Sequence, residues 1–146
     1  MGGRSQRGRE SGVFDLRTAA KIDEMIEYAY VVLRHFPKSE RHILSQEIRR
    51  SLWSLQRAAV AAGKIAARRK HTTGRLQCQL RDRERAHLES LDVEVELLRR
   101  RLRLAKSMRG SNGEPILPFD KYENWSNHLS EVGKMLGSWI QSLNRV

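Results

Sequence analysis

Apolar residues recur every three or four positions in four separate segments of the chain, which is the pattern of amphipathic helices. The pattern is clearest in the third segment, where the spacings alternate between three and four, as they do in the seam of a helical bundle. The seam residues are Leu88, Leu91, Val95, Leu98, Leu102 and Ala105. The spacing therefore predicts four helices, with the third packed along most of its length.

The first two helices are separated by a sharp corner. The first should end before Pro37, because proline disfavours helical geometry in the residue that precedes it, and Phe36 closes its apolar stripe. The second should begin within residues 37–39, with Glu40 favourable in its first turn. Its inner face comprises Leu44, Ile48, Leu52, Leu55, Ala59 and Ala62.

A long loop over residues 110–118 precedes the fourth helix, whose stripe has the same rhythm. The fourth stripe comprises Tyr122, Trp125, Leu129, Val132, Leu136, Ile140 and Leu143. Four amphipathic helices with short to moderate connections predict an all-α fold, an antiparallel up-down four-helix bundle over residues 13–146. Residues 1–12 are rich in Gly, Ser and Arg and have no apolar residue after Met1, so we expect a disordered basic arm.

Two helices carry a second face that the bundle seam leaves over. On the third helix, Val93, Leu97 and Leu104 lie opposite the seam; they are either scattered surface residues or a contact with another subunit. On the second helix a row of mostly small residues flanks the core, comprising Ser51, Ala58, Ala61 and Ile65. Two surplus faces together favour a homo-oligomer, and these seven residues are its predicted interface.

Positive charge is concentrated in one part of the sequence. The chain has a net charge of +11, and residues 37–75 contain ten Lys and Arg residues against two acidic ones. A charge of this size favours an anionic partner, with nucleic acid ahead of an acidic membrane surface.

On a helical wheel Arg50, Arg57, Lys64 and Arg68 form a stripe nearly opposite the core, with Trp53 and Arg49 on its flank. The predicted binding residues here are Arg49, Arg50, Trp53, Arg57, Lys64, Arg68, Arg69 and Lys70. A solvated face normally mixes signs, whereas no acid occurs between Glu47 and Asp82. The stripe predicts a surface for RNA or DNA without sequence preference, or alternatively for an acidic protein. On the third helix Glu96 can pair with Arg99 and Arg100, which leaves Arg101 and Arg103 to extend the surface.

Residue patterns of catalysis are missing from the sequence. There is no Gly-rich phosphate loop, no HExxH and no Gly-x-Ser-x-Gly, and the five histidines are scattered. We therefore predict a non-enzymatic binding protein without cofactor or metal. The single Cys78 and the absence of an apolar segment after the N-terminus predict a cytoplasmic protein that does not enter a membrane.

Three segments together resemble one known family. They are HFPKSERHILSQEIRRSL, LDVEVELLRRRLRLAKS and HLSEVGKMLGSWIQSL. They are similar to the accessory variability determinant (Avd) proteins of diversity-generating retroelements, within a broader group of small bundle proteins that includes those encoded in ribosomal RNA intervening sequences. The resemblance covers roughly residues 13–143.

The resemblance implies a pentameric barrel of four-helix bundles with a positive surface. It implies association with the reverse transcriptase of the retroelement and with RNA and DNA, in support of mutagenic, adenine-directed cDNA synthesis and retrohoming, while the polymerase site belongs to the partner. The basic positions it carries over as candidate contacts are Arg41, Arg49, Arg50, Arg99, Arg101 and Arg103. Two alternatives remain: a structural bundle that docks an acidic protein, and a ribosomal-RNA-associated bundle that lacks a reverse transcriptase.

Overall fold

Four helices make up nearly all of the described chain. They are α1 (Gly2–Leu33), α2 (Leu44–Arg69), α3 (Gly74–Ser107) and α4 (Phe119–Asn144). The structure, a computed structural model, describes the backbone of residues 2–38 and 43–144, and within these ranges the side chains from Arg17 onward. Within these ranges there is no β-strand, which confirms the all-helical prediction.

The helices are arranged as an antiparallel bundle. Both α1 and α3 pack against α2 and α4. Along α1, Lys21 lies 2.6 Å from Glu131, whereas Tyr28, two turns later, donates a hydrogen bond to the earlier carbonyl of Lys121. The order of contacts on α4 is therefore reversed relative to α1, and the same reversal holds for α2 against α3. Each connection returns the chain beside the helix it has just left.

The core follows the predicted apolar stripes closely. All six seam residues of α3 are buried, and so is the inner face of α2 except Leu44, which is partly exposed. In α4, Tyr122 and Ile140 sit at the margin of the core. Trp139, outside the predicted stripe, is buried. Each fully buried large apolar side chain contributes roughly 1.5–3 kcal/mol, so this core is the main source of stability.

The corner between α1 and α2 is longer than the sequence suggests. Helix α1 ends at Leu33, and the backbone N–H groups of His35 and Phe36 bond back to carbonyls three residues earlier, which tightens the end of the helix. Phe36 is buried, as predicted, but α2 begins at Leu44 rather than within residues 37–39. Residues 39–42, which include the predicted contact Arg41, lie outside the described residues.

The loop between α3 and α4 is fixed to the bundle. Ile116 and Leu117 are buried, and their backbone N–H groups donate to the carbonyls of Met108 and Ala105 at 3.0 and 2.9 Å. The turn at the tip requires Gly113, whose φ is +80°. These bonds tie the C-terminal end of the loop to the C-terminal end of α3.

The small-residue row of α2 faces α3 rather than an open surface. Ser51, Ala58 and Ile65 are buried within the single chain, and Ala61 is half-buried in a shallow groove lined by residues of α2 and α3. Their assignment to an oligomer interface is therefore corrected for Ser51, Ala58 and Ile65. Because α2 packs against both α1 and α3, more of its circumference is buried than the single apolar stripe on which the prediction was based.

Residues 2–12 continue α1 toward the N-terminus as backbone helix. The side chains before Arg17 lie outside the described part of the structure, and the described core begins at Thr18 and Ile22. Glycine lowers helix propensity by about 1 kcal/mol per residue relative to alanine, and four glycines occur in this segment. The division into a disordered arm and a bundle domain stays a prediction.

Candidate nucleic-acid interface

One row of exposed cations runs along the outer side of α2. We call Arg50, Arg57, Lys64 and Arg68 the α2 stripe. All four are exposed, and they span about 27 Å of helix at 1.5 Å per residue. The regular helix places them on one side because their spacings of seven, seven and four residues are close to whole turns. The row is long enough to contact several phosphates of one nucleic-acid strand.

Most of the α2 stripe has no acidic partner. Arg50 lies 3.2 Å from Glu47, in an exposed pair that water screens strongly. Among the described residues, no carboxylate lies within 4 Å of Arg57, Lys64 or Arg68. Glu94 on α3 lines the same shallow groove as Arg57 but makes no ion pair with it. The positive potential of the stripe is therefore largely uncompensated.

An aromatic pair lies beside the α2 stripe. The indole nitrogen of Trp53 donates a 3.0 Å hydrogen bond to the hydroxyl of Tyr30 on α1, and the two ring centroids are 5.9 Å apart. The guanidinium of Arg49 lies 5.5 Å from the centroid of the Tyr30 ring, within the range of a cation–π contact. Trp53 remains 47% exposed one turn before Arg57. Predicted residues Arg49 and Trp53 are thus next to the stripe, joined through Tyr30.

Two of the predicted basic residues are engaged inside the fold. Arg69 lies 2.7 Å from the fully buried Glu84, and its own side chain is mostly buried. Arg101 donates to the hydroxyl of Ser51 and to the backbone carbonyl of Glu47. The assignment of Arg69 and Arg101 as free cations for a ligand is corrected, since both join α2 to α3.

The remaining predicted cations lie at the surface with differing partners. Glu96 pairs with Arg99 at 3.1 Å and with Arg100 at 3.3 Å, as the spacing predicts. The hydrogen bond from Arg99 is the main cause that lowers the pKa of Glu96 below its ordinary value of 4.5. Arg103 is exposed on α3, and Lys70 is exposed at the end of α2. Among the described residues no carboxylate lies within 4 Å of Arg103, whereas Arg99 shares its charge with Glu96.

The outer side of α3 exposes an apolar strip. Val93, Leu97 and Leu104 are 60%, 37% and 54% exposed in the single chain. They lie within about 40° of one another on the helix, at spacings of four and seven residues. The structure thus leaves this face uncovered.

Comparison with known proteins identifies the family. The model of one family, described as bAvd-like, matches residues 17–143, which is most of the chain. The chain belongs to the bAvd-like family. Comparison with curated proteins and with solved structures finds no significant match. The family assignment agrees with the resemblance to Avd proteins seen in the sequence.

Proteins of the bAvd-like family are generally accessory and non-catalytic.

Within the described ranges, no three His, Cys, Asp or Glu side chains come together as metal ligands. A groove of about 650 Å3 opens at the end of the bundle, with Pro37, Pro118 and Phe119 in its lining. None of the four helices, in the part of the chain described, combines the length and apolar character that crossing a membrane requires.

Sequence reasoning missed a fully buried acidic residue of this bAvd-like chain. Glu84 occupies a seam position of α3, four residues after Leu80 and four before Leu88, and is fully buried. It accepts hydrogen bonds from Arg69 on α2 and from Trp139 on α4. An acidic residue at apolar spacing was the available signal, because a buried carboxylate requires donors from neighbouring helices.

Proposed function

We propose that the protein is a non-enzymatic accessory subunit of a diversity-generating retroelement. It binds the reverse transcriptase of the element, and it binds RNA and DNA through the α2 stripe in support of mutagenic cDNA synthesis. Membership of the bAvd-like family supports the accessory role. The resemblance to Avd proteins supports the polymerase partner, whose active site performs the chemistry.

The observation that carries nucleic-acid binding is the uncompensated charge of Arg57, Lys64 and Arg68. These cations repel one another on a protein of net charge +11, and an anionic partner relieves that repulsion. Phosphate contacts release counterions and position the nucleic acid without reading bases. We therefore expect RNA and DNA to bind with little sequence preference and with an affinity that falls steeply as salt rises.

Charge reversal of the stripe tests this proposal. The triple variant Arg57→Glu, Lys64→Glu, Arg68→Glu should lose filter binding of RNA and DNA at physiological salt, while circular dichroism reports unchanged helicity. A matched control changes the net charge equally on α1 and α4, where Arg17, Lys121 and Lys134 are also exposed. Their reversal to Glu should weaken binding only slightly. Equal losses in both triple variants would mean that overall charge, rather than the stripe, governs binding.

We further propose that the chain assembles into a homo-oligomer, a pentamer by resemblance, through the exposed strip of Val93, Leu97 and Leu104. Leu97→Asp combined with Leu104→Asp should reduce the sedimentation coefficient to that of a monomer. Leu76→Asp is the control. Leu76 is similarly exposed, and it lies about 31 Å from Leu97 along α3. A wild-type chain that sediments as a monomer refutes the assembly.

The alternative ligand of the α2 stripe is an acidic protein. The nucleic-acid binding experiment distinguishes acidic protein docking from nucleic-acid binding. A wild-type chain that binds neither RNA nor DNA at low salt would leave acidic protein docking as the function of the stripe. Co-purification with the reverse transcriptase after nuclease treatment tests the polymerase contact. A reverse transcriptase and paired template and variable repeats near the coding sequence distinguish a retroelement protein from a ribosomal-RNA-associated bundle.

A further inference from the structure

Trp53 is the one exposed tryptophan among three. Trp125 and Trp139 are 0% and 2% exposed and belong to the core, whereas Trp53 is 47% exposed. It lies on α2 three residues after Arg50 and four before Arg57, one turn from each. An indole face is thus open to solvent within a row of cations.

The orientation of Trp53 is fixed by groups beneath it. Its only polar atom donates a 3.0 Å hydrogen bond to the hydroxyl of Tyr30, with the two rings inclined at 55°. The guanidinium of Arg49 also contacts the Tyr30 ring, 5.5 Å from its centroid, and the buried Nε of Arg49 has no hydrogen-bond partner within the described residues. Because the indole is held in place before any ligand arrives, little side-chain entropy is lost when a flat group stacks on it.

Two carboxylates on the helices that carry Tyr30 and Trp53 have side-chain partners. Asp23 on α1 accepts a 3.0 Å hydrogen bond from Gln56, and Glu47 on α2 pairs with Arg50. Arg57 follows Trp53 by four residues on the same helix, and no carboxylate among the described residues lies within 4 Å of it. An aromatic face beside uncompensated cations matches the pairing of base and phosphate in one nucleotide.

We propose that Trp53 stacks on an unpaired base, and that the α2 stripe consequently takes single-stranded nucleic acid in preference to duplex. The inference rests on the proposed nucleic-acid function of the stripe and specifies the form of nucleic acid that it binds. In a duplex each base is stacked between its neighbours and offers no face to a protein, whereas a single strand can turn a base outward. Stacking tolerates any base, so the preference concerns strandedness and not sequence.

Three probes at one salt concentration separate stacking from charge. They are a mixed-sequence single strand of about 20 nucleotides, its duplex, and an abasic strand of the same length that retains the phosphates. Wild type should bind the base-bearing strand more tightly than either of the others. Trp53→Leu should weaken binding of the base-bearing strand roughly 5-fold to 100-fold and change the other two by less than about 2-fold. Trp53→Phe, which keeps an aromatic face, should recover much of the loss.

Intrinsic fluorescence supplies a readout that does not depend on a variant. Stacking of a base quenches an indole, and the two core tryptophans are inaccessible, so quenching of wild type by the base-bearing strand reports Trp53. The abasic strand should quench little, and Trp53→Phe should abolish the quenching while circular dichroism stays unchanged.

The failures of the two proposals are distinct. Wild type that binds none of the probes overturns the nucleic-acid function and the stacking together. Wild type that binds all three equally, or a Trp53→Leu variant that weakens all three to the same extent, overturns stacking and leaves the charged stripe. A Trp53→Leu variant that changes sedimentation but no oligonucleotide affinity assigns Trp53 to a protein contact and overturns the inference.

Discussion

Trp139 of α4 donates its indole N–H to the carboxylate of Glu84 on α3, across 2.7 Å in a part of the bundle where Glu84 is fully buried. The other carboxylate oxygen accepts from Arg69 of α2, also at 2.7 Å. One acidic side chain therefore joins three helices. Its charge is tolerated in the core because both oxygens are hydrogen-bonded and one donor is cationic.

Removal of this carboxylate should destabilise the bundle strongly. Glu84→Ala leaves the Arg69 cation mostly buried without its partner, and breaking a buried ion pair in this way costs about 3–5 kcal/mol. Urea unfolding followed by circular dichroism measures the free energy of unfolding. Glu89→Ala, at an exposed position of the same helix, should change it by less than about 0.5 kcal/mol. Equal effects of the two substitutions would contradict a structural role for Glu84.

Two adjacent arginines should separate binding from stability. Arg68 is exposed, whereas Arg69 is held by Glu84. Arg68→Gln should leave the free energy of unfolding almost unchanged and reduce the slope of log affinity against log salt by about 1. Arg69→Gln should lower the free energy of unfolding by roughly 2–4 kcal/mol, with the salt slope of the folded protein retained. The reverse assignment of effects would place Arg69 in the binding surface.

Two glycines should respond to alanine in opposite directions. Gly113 has a φ of +80°, so Gly113→Ala should destabilise the α3–α4 loop by about 1 kcal/mol. Gly63 lies within α2, and a Cβ added there meets nothing within 4 Å, so Gly63→Ala should stabilise by roughly 0.5–1 kcal/mol. Thermal unfolding of both variants checks the pair. A destabilised Gly63→Ala would indicate a neighbour that the single chain does not contain, such as another subunit.

The ion pair between Lys21 and Glu131 should give a pH-dependent contribution to stability. Its hydrogen bond is the main cause that lowers the pKa of Glu131 below 4.5 and raises that of Lys21 above 10.5. A lowered acidic pKa contributes stability above 4.5 that is lost as pH falls through the lowered value. A raised basic pKa contributes stability that is lost as pH rises through the raised value. The pair therefore stabilises the fold between the lowered pKa of Glu131 and the raised pKa of Lys21.

Glu131→Gln tests this window. The substitution should slightly lower the midpoint of thermal unfolding at pH 7, and wild type and variant should converge under strongly acidic conditions, where the carboxylate is protonated. High salt should also reduce the difference, because the Glu131 carboxylate is exposed and its charge is screened. Glu123→Gln, an exposed position of α4, is the control. A difference that persists in strong acid would mean that packing rather than charge is lost.

The bundle could be predicted because its core repeats along the chain. Each seam residue of α3, from Leu88 to Ala105, follows the last by three or four positions, and a helix with that pattern must be covered along one side. The wider burial of α2 could not be predicted from the same wheel. Ser51 and Ala58 are small, and small residues are equally compatible with a contact to another subunit or to α3. The position of α3 in the structure distinguishes these two contacts.

The candidate site was predictable in its charge but not in its pairing. Arg68 and Arg69 are adjacent residues of the same type, yet Arg68 is exposed whereas Arg69 bonds to Glu84, which lies 15 residues away on the next helix. Arg101 is likewise held inside the fold, by its hydrogen bond to Ser51. Tyr30 was absent from the predicted site because it belongs to another helix, and its role beside Trp53 emerges only when α1 is placed against α2.

The unequal lengths of the connections have a consequence for the order of folding. Residues 70–73 join α2 to α3, whereas residues 34–43 and 108–118 make the other two connections. Among the described residues, the contact of α2 with α3 is the most extensive between any two helices. Closing the shortest loop has the smallest entropic penalty, so the α2–α3 hairpin is the favoured nucleus, onto which α1 and α4 then dock. Substitutions at Leu52 or Leu91 should accordingly slow folding, whereas those at Ile22 or Leu129 should mainly accelerate unfolding.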